Sequence, residues 1–356
     1  MRRFPGVTRV ALAVLVSVGL TACGGESESP ESGGHMEARL RISGAGATFP
    51  EPLYVAWMRR YGEERPDVSF SYEGVGSGEG IKRFIAGAVD FGGSDAAMTD
   101  EQIAQVSRGV NLIPTTAGMV VLAYNLPGVE GELRLPRDVY VDIFLGKVWR
   151  WDDPRLVAAN PDLVLPSKLI QPVVRRDGSG TTFAFTNHLS AVSLDWRDGP
   201  GTGTQIDWPG GAMTGVGNEG VAQKVKISLG SIGYMEYGFA KRLGLPVASL
   251  ENRDGDFVKP GAGSGQAALA AAAAADLPEN LRLFVPDPPG PESYPIVTLS
   301  WLLLYGVYPE PEKAAALKAA VTWGLNQGQP IAEEMGYIPL PDNIAAAATR
   351  AVADIQ

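Results

Sequence analysis

Hydrophobic positions change period repeatedly along this chain. Leu40 and Ile42 alternate with polar neighbours, as on a short strand; Leu53, Trp57 and Tyr61 then recur at i, i+4 and i+8, as on one helix face. Val68, Phe70 and Tyr72 alternate again, and Ile81, Phe84, Ile85 and Ala88 return to helical spacing. Val89 and Phe91 mark a short buried strand, after which Thr99 and Gln102 predict a capping box. Further on, the apolar run Leu169, Ile170, Val173 and Val174 precedes Phe185, Leu189 and Val192 at i, i+4 and i+7. Strands alternating with helices in this way predict an α/β fold.

The junctions between these elements have a common chemistry. Ser43-Gly44-Ala45-Gly46-Ala47-Thr48-Phe49-Pro50 joins the first pair, and Pro50 and Pro52 suit a first helical turn, where a missing N–H is harmless. Glu73-Gly74-Val75-Gly76-Ser77-Gly78-Glu79-Gly80 joins the second, and Gly92-Gly93-Ser94-Asp95 follows the short strand. Arg175-Arg176-Asp177-Gly178-Ser179-Gly180-Thr181-Thr182 joins the last pair. Helix starts present unpaired N–H groups at the positive end of the macrodipole. Glycines let an anion approach those groups, and an arginine adds a fork matched to tetrahedral oxyanions. Ligands of open α/β sheets bind outside the carboxyl ends of the strands, so these loops are expected to converge on one small anion.

Other stretches carry less chemistry. Asp138 to Asp153 reads as a helical run with Trp149 and Trp151 in the core. Gly199 to Gly220 reads as a long surface loop, and the alanine tract at Ala262 and Ala267 to Ala275 as a surface helix. Ile296 to Leu304 is an apolar strand, and the segment from Glu310 onward is helical.

The amino terminus stands apart. Arg2, Arg3 and Arg9 precede the apolar stretch Val10 to Leu20, too short to span a bilayer comfortably, and Leu20-Thr21-Ala22-Cys23 ends it. This predicts a signal peptide over 1–22. A cysteine directly after small residues resembles the bacterial lipobox, which implies a lipid on Cys23, the only cysteine of the chain. The Gly-, Ser-, Glu- and Pro-rich residues of 23–38 read as a tether. The remaining length allows two domains.

A hydrophobic fraction of 45% supports full cores. The net charge of −10, with no basic stripe, argues against nucleic acid, although local dipoles and a few arginines can still hold an anion. Two histidines, His35 and His188, leave little for a zinc site or a histidine-based triad, so no metal or cofactor is expected.

Taken together, the four junctions resemble those of the phosphate-binding lipoproteins that serve the bacterial phosphate-specific ABC transporter. Ile143-Phe144-Leu145-Gly146-Lys147, Trp151-Asp152-Asp153 and Gly230-Ser231-Ile232-Gly233-Tyr234 add to the resemblance, which covers nearly all of the chain beyond the tether. It implies a two-lobed periplasmic-binding-protein fold of type II-like topology with two crossover hinge strands, near Pro114–Ala123 and Tyr294–Leu299. Lobe I would comprise 39–118 with 297–356, and lobe II 119–296. It further implies binding of inorganic phosphate through Thr48, Phe49, Ser77, Asp95, Arg175, Ser179, Gly180 and Thr181, with Asp177 orienting Arg175. The residues alone leave open whether Arg175 or Arg176 enters the cleft. The implied partners are the permease subunits with their ATPase. The protein would be a monomer, held outside the cytoplasm by a lipid anchor alone, in the periplasm or at the cell surface. Two positions depart from the pattern: Gly78, where relatives carry a second serine, and Ala97, where proline is common.

A carboxylate in an anion site has a chemical use. Phosphate near neutral pH retains a proton that Asp95 can accept, whereas sulfate has none to offer. Sites built around such a group reject analogues lacking it by about 10⁴ or more, through repulsion as well as attraction. Two other functions fit parts of the pattern: a secreted phosphatase with Ser179 or Thr181 as nucleophile, and a binder of sulfate, molybdate or tungstate.

Overall fold

The computed structural model describes residues 40–274 and 277–356. The predicted signal peptide, Cys23 and the tether lie outside the described residues. Elements follow in the order β1 (Leu40–Gly46), α1 (Glu51–Glu64), β2 (Val68–Gly74), α2 (Ser77–Ile85), β3 (Phe91–Ser94), α3 (Asp100–Ile103) and β4 (Val110–Tyr124). Next come β5 (Arg134–Leu135), α4 (Arg137–Phe144), α5 (Pro154–Ala159), β6 (Gln171–Arg175), α6 (Gly180–Val192), α7 (Leu194–Asp198) and β7 (Met213–Gly215). These lead to α8 (Gly217–Ile227), β8 (Ser231–Glu236), α9 (Tyr237–Leu243), β9 (Ser249–Glu251), β10 (Phe257–Val258) and α10 (Ala262–Ala273). The chain ends in β11 (Val297–Tyr305), α11 (Pro311–Asn326), α12 (Gln329–Met335) and α13 (Asp342–Ala353).

The main sheet has eight strands in the order β2-β1-β3-β11-β4-β8-β6-β7. Pairing is parallel among β2, β1 and β3 and among β8, β6 and β7, and antiparallel wherever β4 or β11 takes part. Each parallel set carries its helices as crossovers, which is what the change of period in the sequence requires. The two sets are the centres of two lobes, joined by β4, which pairs with β11 up to Met119 and with β8 from Val120. All of β4 from Leu112 onward is buried, so its near-continuous apolar run serves both lobes.

Proline interrupts β4 at Pro114, and the register with β11 shifts between Ser300 and Trp301. A proline cannot donate to the ladder and is tolerated in a sheet interior at such a bulge. Thr115 lies in the shift; its hydroxyl is 2.7 Å from the Tyr54 hydroxyl and 3.2 Å from the Ser300 carbonyl. Bulges re-aim side chains, and Ser300 here points at Asp95.

Two readings of the sequence need correction, and a third, the alanine-rich surface helix, gains a buried face. Trp151 is fully buried, with Nε1 donating to the Gly230 carbonyl, but Trp149 is 58% exposed, because the chain turns between them into an isolated bridge of Arg150 with Leu169. The stretch 199–220 is not simply a surface loop: it contributes β7, the start of α8 and Trp208, which stacks on Tyr234. The alanine-rich helix α10 buries Gly265, Ala268, Leu269 and Ala273, with Gly265 against Ile338 and Met119. Small side chains let this helix approach closely. The segment beyond it straps the lobes together: Arg282 donates to the Met98 carbonyl, and Phe284 contacts both Phe183 and Trp301.

Candidate functional site

Four strand ends deliver the site. The β1–α1 loop carries Thr48 and Phe49. The Phe49 ring is buried beside Tyr337, whose hydroxyl donates to the Phe49 carbonyl at 2.7 Å, so the backbone is what this residue offers to the site. Helix α2 opens at Ser77 after Gly76, whose φ of +89° favours glycine and whose Cα faces Asp177 of the other lobe. Asp95 follows β3 directly. Helix α6 opens at Gly180 after Ser179, whose hydroxyl accepts from the Thr182 amide as an N-cap.

All eight expected ligand-binding residues lie in this one region, and all are buried. Arg175 is 4% exposed, whereas Arg176 is a surface residue. Arg175 Nε donates to Asp177 Oδ1 at 2.8 Å, and its Nη2 forms an ion pair with Asp177 Oδ2. Asp177 Oδ1 also accepts from the Gly217 amide. Burial alone would raise the Asp177 pKa, but the bond to Arg175 and its charge outweigh burial and hold it below the usual range.

The lobes meet across these loops. Ser77 Oγ accepts from the Gly180 amide at 3.1 Å and from the Asp95 amide at 3.2 Å. The Gly78 amide donates to the Gly178 carbonyl at 3.0 Å. A Cβ on Gly180 would lie 2.6 Å from Asp95 Cβ and 2.6 Å from Ser77 Oγ, so only glycine fits that approach.

Hydroxyl orientation follows from these bonds. Thr48 Oγ1 accepts twice from Asn218, from its amide at 3.1 Å and from Nδ2 at 3.0 Å. Thr181 Oγ1 accepts from Arg175 Nη1 at 3.4 Å and from Asn218 Nδ2 at 3.2 Å. With their acceptor positions occupied, the hydroxyls of Thr48, Ser77 and Thr181 are left to donate their protons. The amides of Thr48, Phe49, Ser77 and Thr181 have no hydrogen-bond acceptor among the described residues. The region is therefore rich in unspent donors, with Arg175 supplying positive charge.

Asp95 is the exception. Its Oδ1 accepts from the Ser300 hydroxyl at 2.7 Å, and its other oxygen has no protein partner among the described residues. Burial pushes its pKa up to about 7, against the opposing pull of Ser300 and Arg175. A carboxyl near neutrality in pKa can share a proton with a ligand of similar acidity.

Sequence reasoning missed Asn218, Ser300 and Glu236, and gave no site role to Tyr234, which ends a stretch it had singled out. Tyr234 accepts from the Arg175 amide and is 2.7 Å from the Thr182 hydroxyl, fixing the end of β6. Glu236 caps α9 through the Gly238 amide, and burial pushes its pKa up to about 8. His188, two turns into α6, is not gathered with Ser179: its Nε2 lies 2.8 Å from the Tyr140 hydroxyl and its Nδ1 2.6 Å from the Pro286 carbonyl. No group of three or more His, Cys, Asp or Glu among the described residues is arranged to hold a metal ion.

A family model described as a PBP superfamily domain matches residues 25–325. The chain is 40% identical over 308 residues to the phosphate-binding protein PstS of Haemophilus influenzae, covering 86% of this chain and 90% of the relative. It is 40% identical over 304 residues to PstS of Pasteurella multocida, covering 85% and 87%. Among solved structures, the phosphate-binding protein of Stenotrophomonas maltophilia superposes with a TM-score of 0.67 at 20% identity, covering 87% of this chain and 93% of that one, a likeness of fold. The chain belongs to the PstS family of phosphate-binding proteins, within the PBP superfamily.

Proposed function

We propose that this protein captures inorganic phosphate between its two lobes and delivers it to an ABC-type importer. One observation carries the reading: unspent amide and hydroxyl donors from both lobes gather around Arg175 and face a single carboxyl, Asp95. Such a site suits a tetrahedral anion that brings one proton. In this reading Thr48, Phe49, Ser77, Ser179 and Thr181 donate, Gly180 lines the site while its amide holds the Ser77 hydroxyl, Arg175 supplies the charge under the direction of Asp177, and Asp95 takes the ligand's proton.

Lobe I comprises 39–118 with 297–356 and lobe II comprises 119–296, parting and closing about β4 and the start of β11. The change of partner along β4 at Met119 and Val120 supports that division. The protein acts as a monomer, handing its cargo to permease subunits driven by their ATPase. It is tethered outside the cytoplasm through a lipid on Cys23, and Cys23→Ser should release it from the membrane fraction.

The protein is a binder and not a catalyst in this reading, because the Ser179 hydroxyl serves as a helix cap and His188 is engaged elsewhere. Calorimetric titration of residues 39–356 with phosphate, sulfate and arsenate tests the assignment. Binding of sulfate as tight as that of phosphate would overturn it, and metal-dependent phosphatase turnover that required Ser179 would restore the enzyme alternative.

A further inference from the structure

Asn218 is fully buried at the start of α8 and is joined to both lobes at once. Its Nδ2 donates to Thr48 Oγ1 of the β1–α1 loop and to Thr181 Oγ1 of α6. Its Oδ1 accepts from the Glu236 amide at 2.9 Å, where β8 ends and α9 begins. That last bond fixes which end of the carboxamide faces the hydroxyls: the oxygen is held by a backbone donor, so the NH₂ group must point at Thr48 and Thr181. An amide group in this orientation can only give protons to those two oxygens. Each hydroxyl is thereby prevented from accepting from a ligand and is turned to donate.

We propose that Asn218 is a positioning residue that sets the protonation state of the bound anion, by locking Thr48 and Thr181 as obligate donors while bridging the closed lobes. The inference rests on the phosphate reading above. Asp95 then remains the acceptor for a ligand proton, and a doubly protonated anion has no second place to donate. Without the carboxamide, one lone pair on each threonine is released and either hydroxyl can accept. The variant site would thus tolerate a more protonated ligand while losing affinity for a less protonated one.

The test is calorimetric titration of phosphate from pH 5 to pH 8 on wild type, Asn218→Ala, Thr48→Val and the double variant, with thermal melting in the absence of phosphate. Of the three buried hydrogen bonds that Asn218→Ala removes, the two to Thr48 and Thr181 bear on the ligand, and their loss should raise the Kd about 30-fold at pH 8. The deficit should shrink to about threefold or less at pH 5. Because Asn218 acts in part through Thr48, the double variant should bind much more tightly than the two separate losses multiplied together. A loss of equal size at every pH, with the two substitutions independent, would reduce Asn218 to a structural prop and overturn the proposal. Native affinity in Asn218→Ala would also overturn it, while leaving the phosphate reading intact. Failure of the wild type to bind phosphate would sink that reading, and this inference with it. Should melting reveal that Asn218→Ala does not fold, Asn218→Ser carries the same comparison with a smaller cut.

Discussion

Gly180→Ala separates binding from folding. Gly180 is the first residue of α6, its backbone has an ordinary negative φ, and alanine is the strongest helix former. The substituted residue therefore suits its own lobe. It does not suit the other lobe, because the new Cβ would lie 2.6 Å from Asp95 Cβ and 2.8 Å from Asp95 Cα. Neither atom is the free end of a flexible side chain. Reaching ordinary contact requires the loops to separate by about 1 Å, a strain of about 1–3 kcal/mol by analogy with overpacked cores. The separation also weakens the bonds from the Gly180 amide to Ser77 and from the Gly78 amide to Gly178, at about 1 kcal/mol each. The sum, roughly 3–5 kcal/mol, corresponds to a phosphate Kd raised by about 10²–10³ or more. Titration calorimetry reads the Kd, and melting without phosphate should move little. A Kd within threefold of wild type would refute the claim that the lobes bind by meeting at Gly180.

Asp95→Asn keeps an oxygen for the Ser300 hydroxyl but turns an N–H toward the ligand, so discrimination between phosphate and sulfate should fall by about 100-fold or more in competition titrations. Unchanged discrimination would remove the proton-sharing role. Arg175→Ala should weaken phosphate binding by about 3–5 kcal/mol, because it strips the anion of its countercharge and leaves Asp177 unpaired, while Arg176→Ala should stay within about twofold. Asp95 and Glu236 both have folded pKa values raised above the unfolded ones, to about 7 and about 8. Their stabilising contribution is therefore full below about pH 4 and lost as pH rises through about 7–8, by up to roughly 4 kcal/mol for each. Urea denaturation of the ligand-free protein from pH 5 to 8 should follow that fall, and Glu236→Gln should flatten it; an equally steep fall in the variant would exclude Glu236 as a source.

The strand–loop–helix units were legible because each joins an apolar alternation to a glycine-bearing polar loop and a helical repeat, all within about 20 residues of sequence. Thr48, Ser77, Asp95 and Arg175 could be read from those loops, and family resemblance singled out the individual positions. The residues that were missed get their meaning from distant partners. Ser300 sits in an apolar strand and matters only because a bulge beside Pro114 turns it toward Asp95, 205 positions away. Asn218 lies at the end of a glycine-rich stretch that carries no periodicity, and only the folded chain brings it between Thr48 and Thr181. Trp149 and Trp151 show the local limit: they are two residues apart and alike in hydrophobicity, but a turn in the chain puts one outside and the other inside.

The position of β11 between β3 and β4 has a consequence for how the molecule is made. Trp301 pairs with Ser94 on one side and with Pro114 on the other, so the amino-terminal lobe waits for residues near the far end of the polypeptide. A growing chain that stops short of Val297 leaves both flanking strands with bare edges, open to mispairing and aggregation. Contacts of such high sequence separation also make folding slow, since a very long loop must close before they contribute. The topology thus makes completion of the amino-terminal lobe a late event, dependent on residues that are synthesised nearly last.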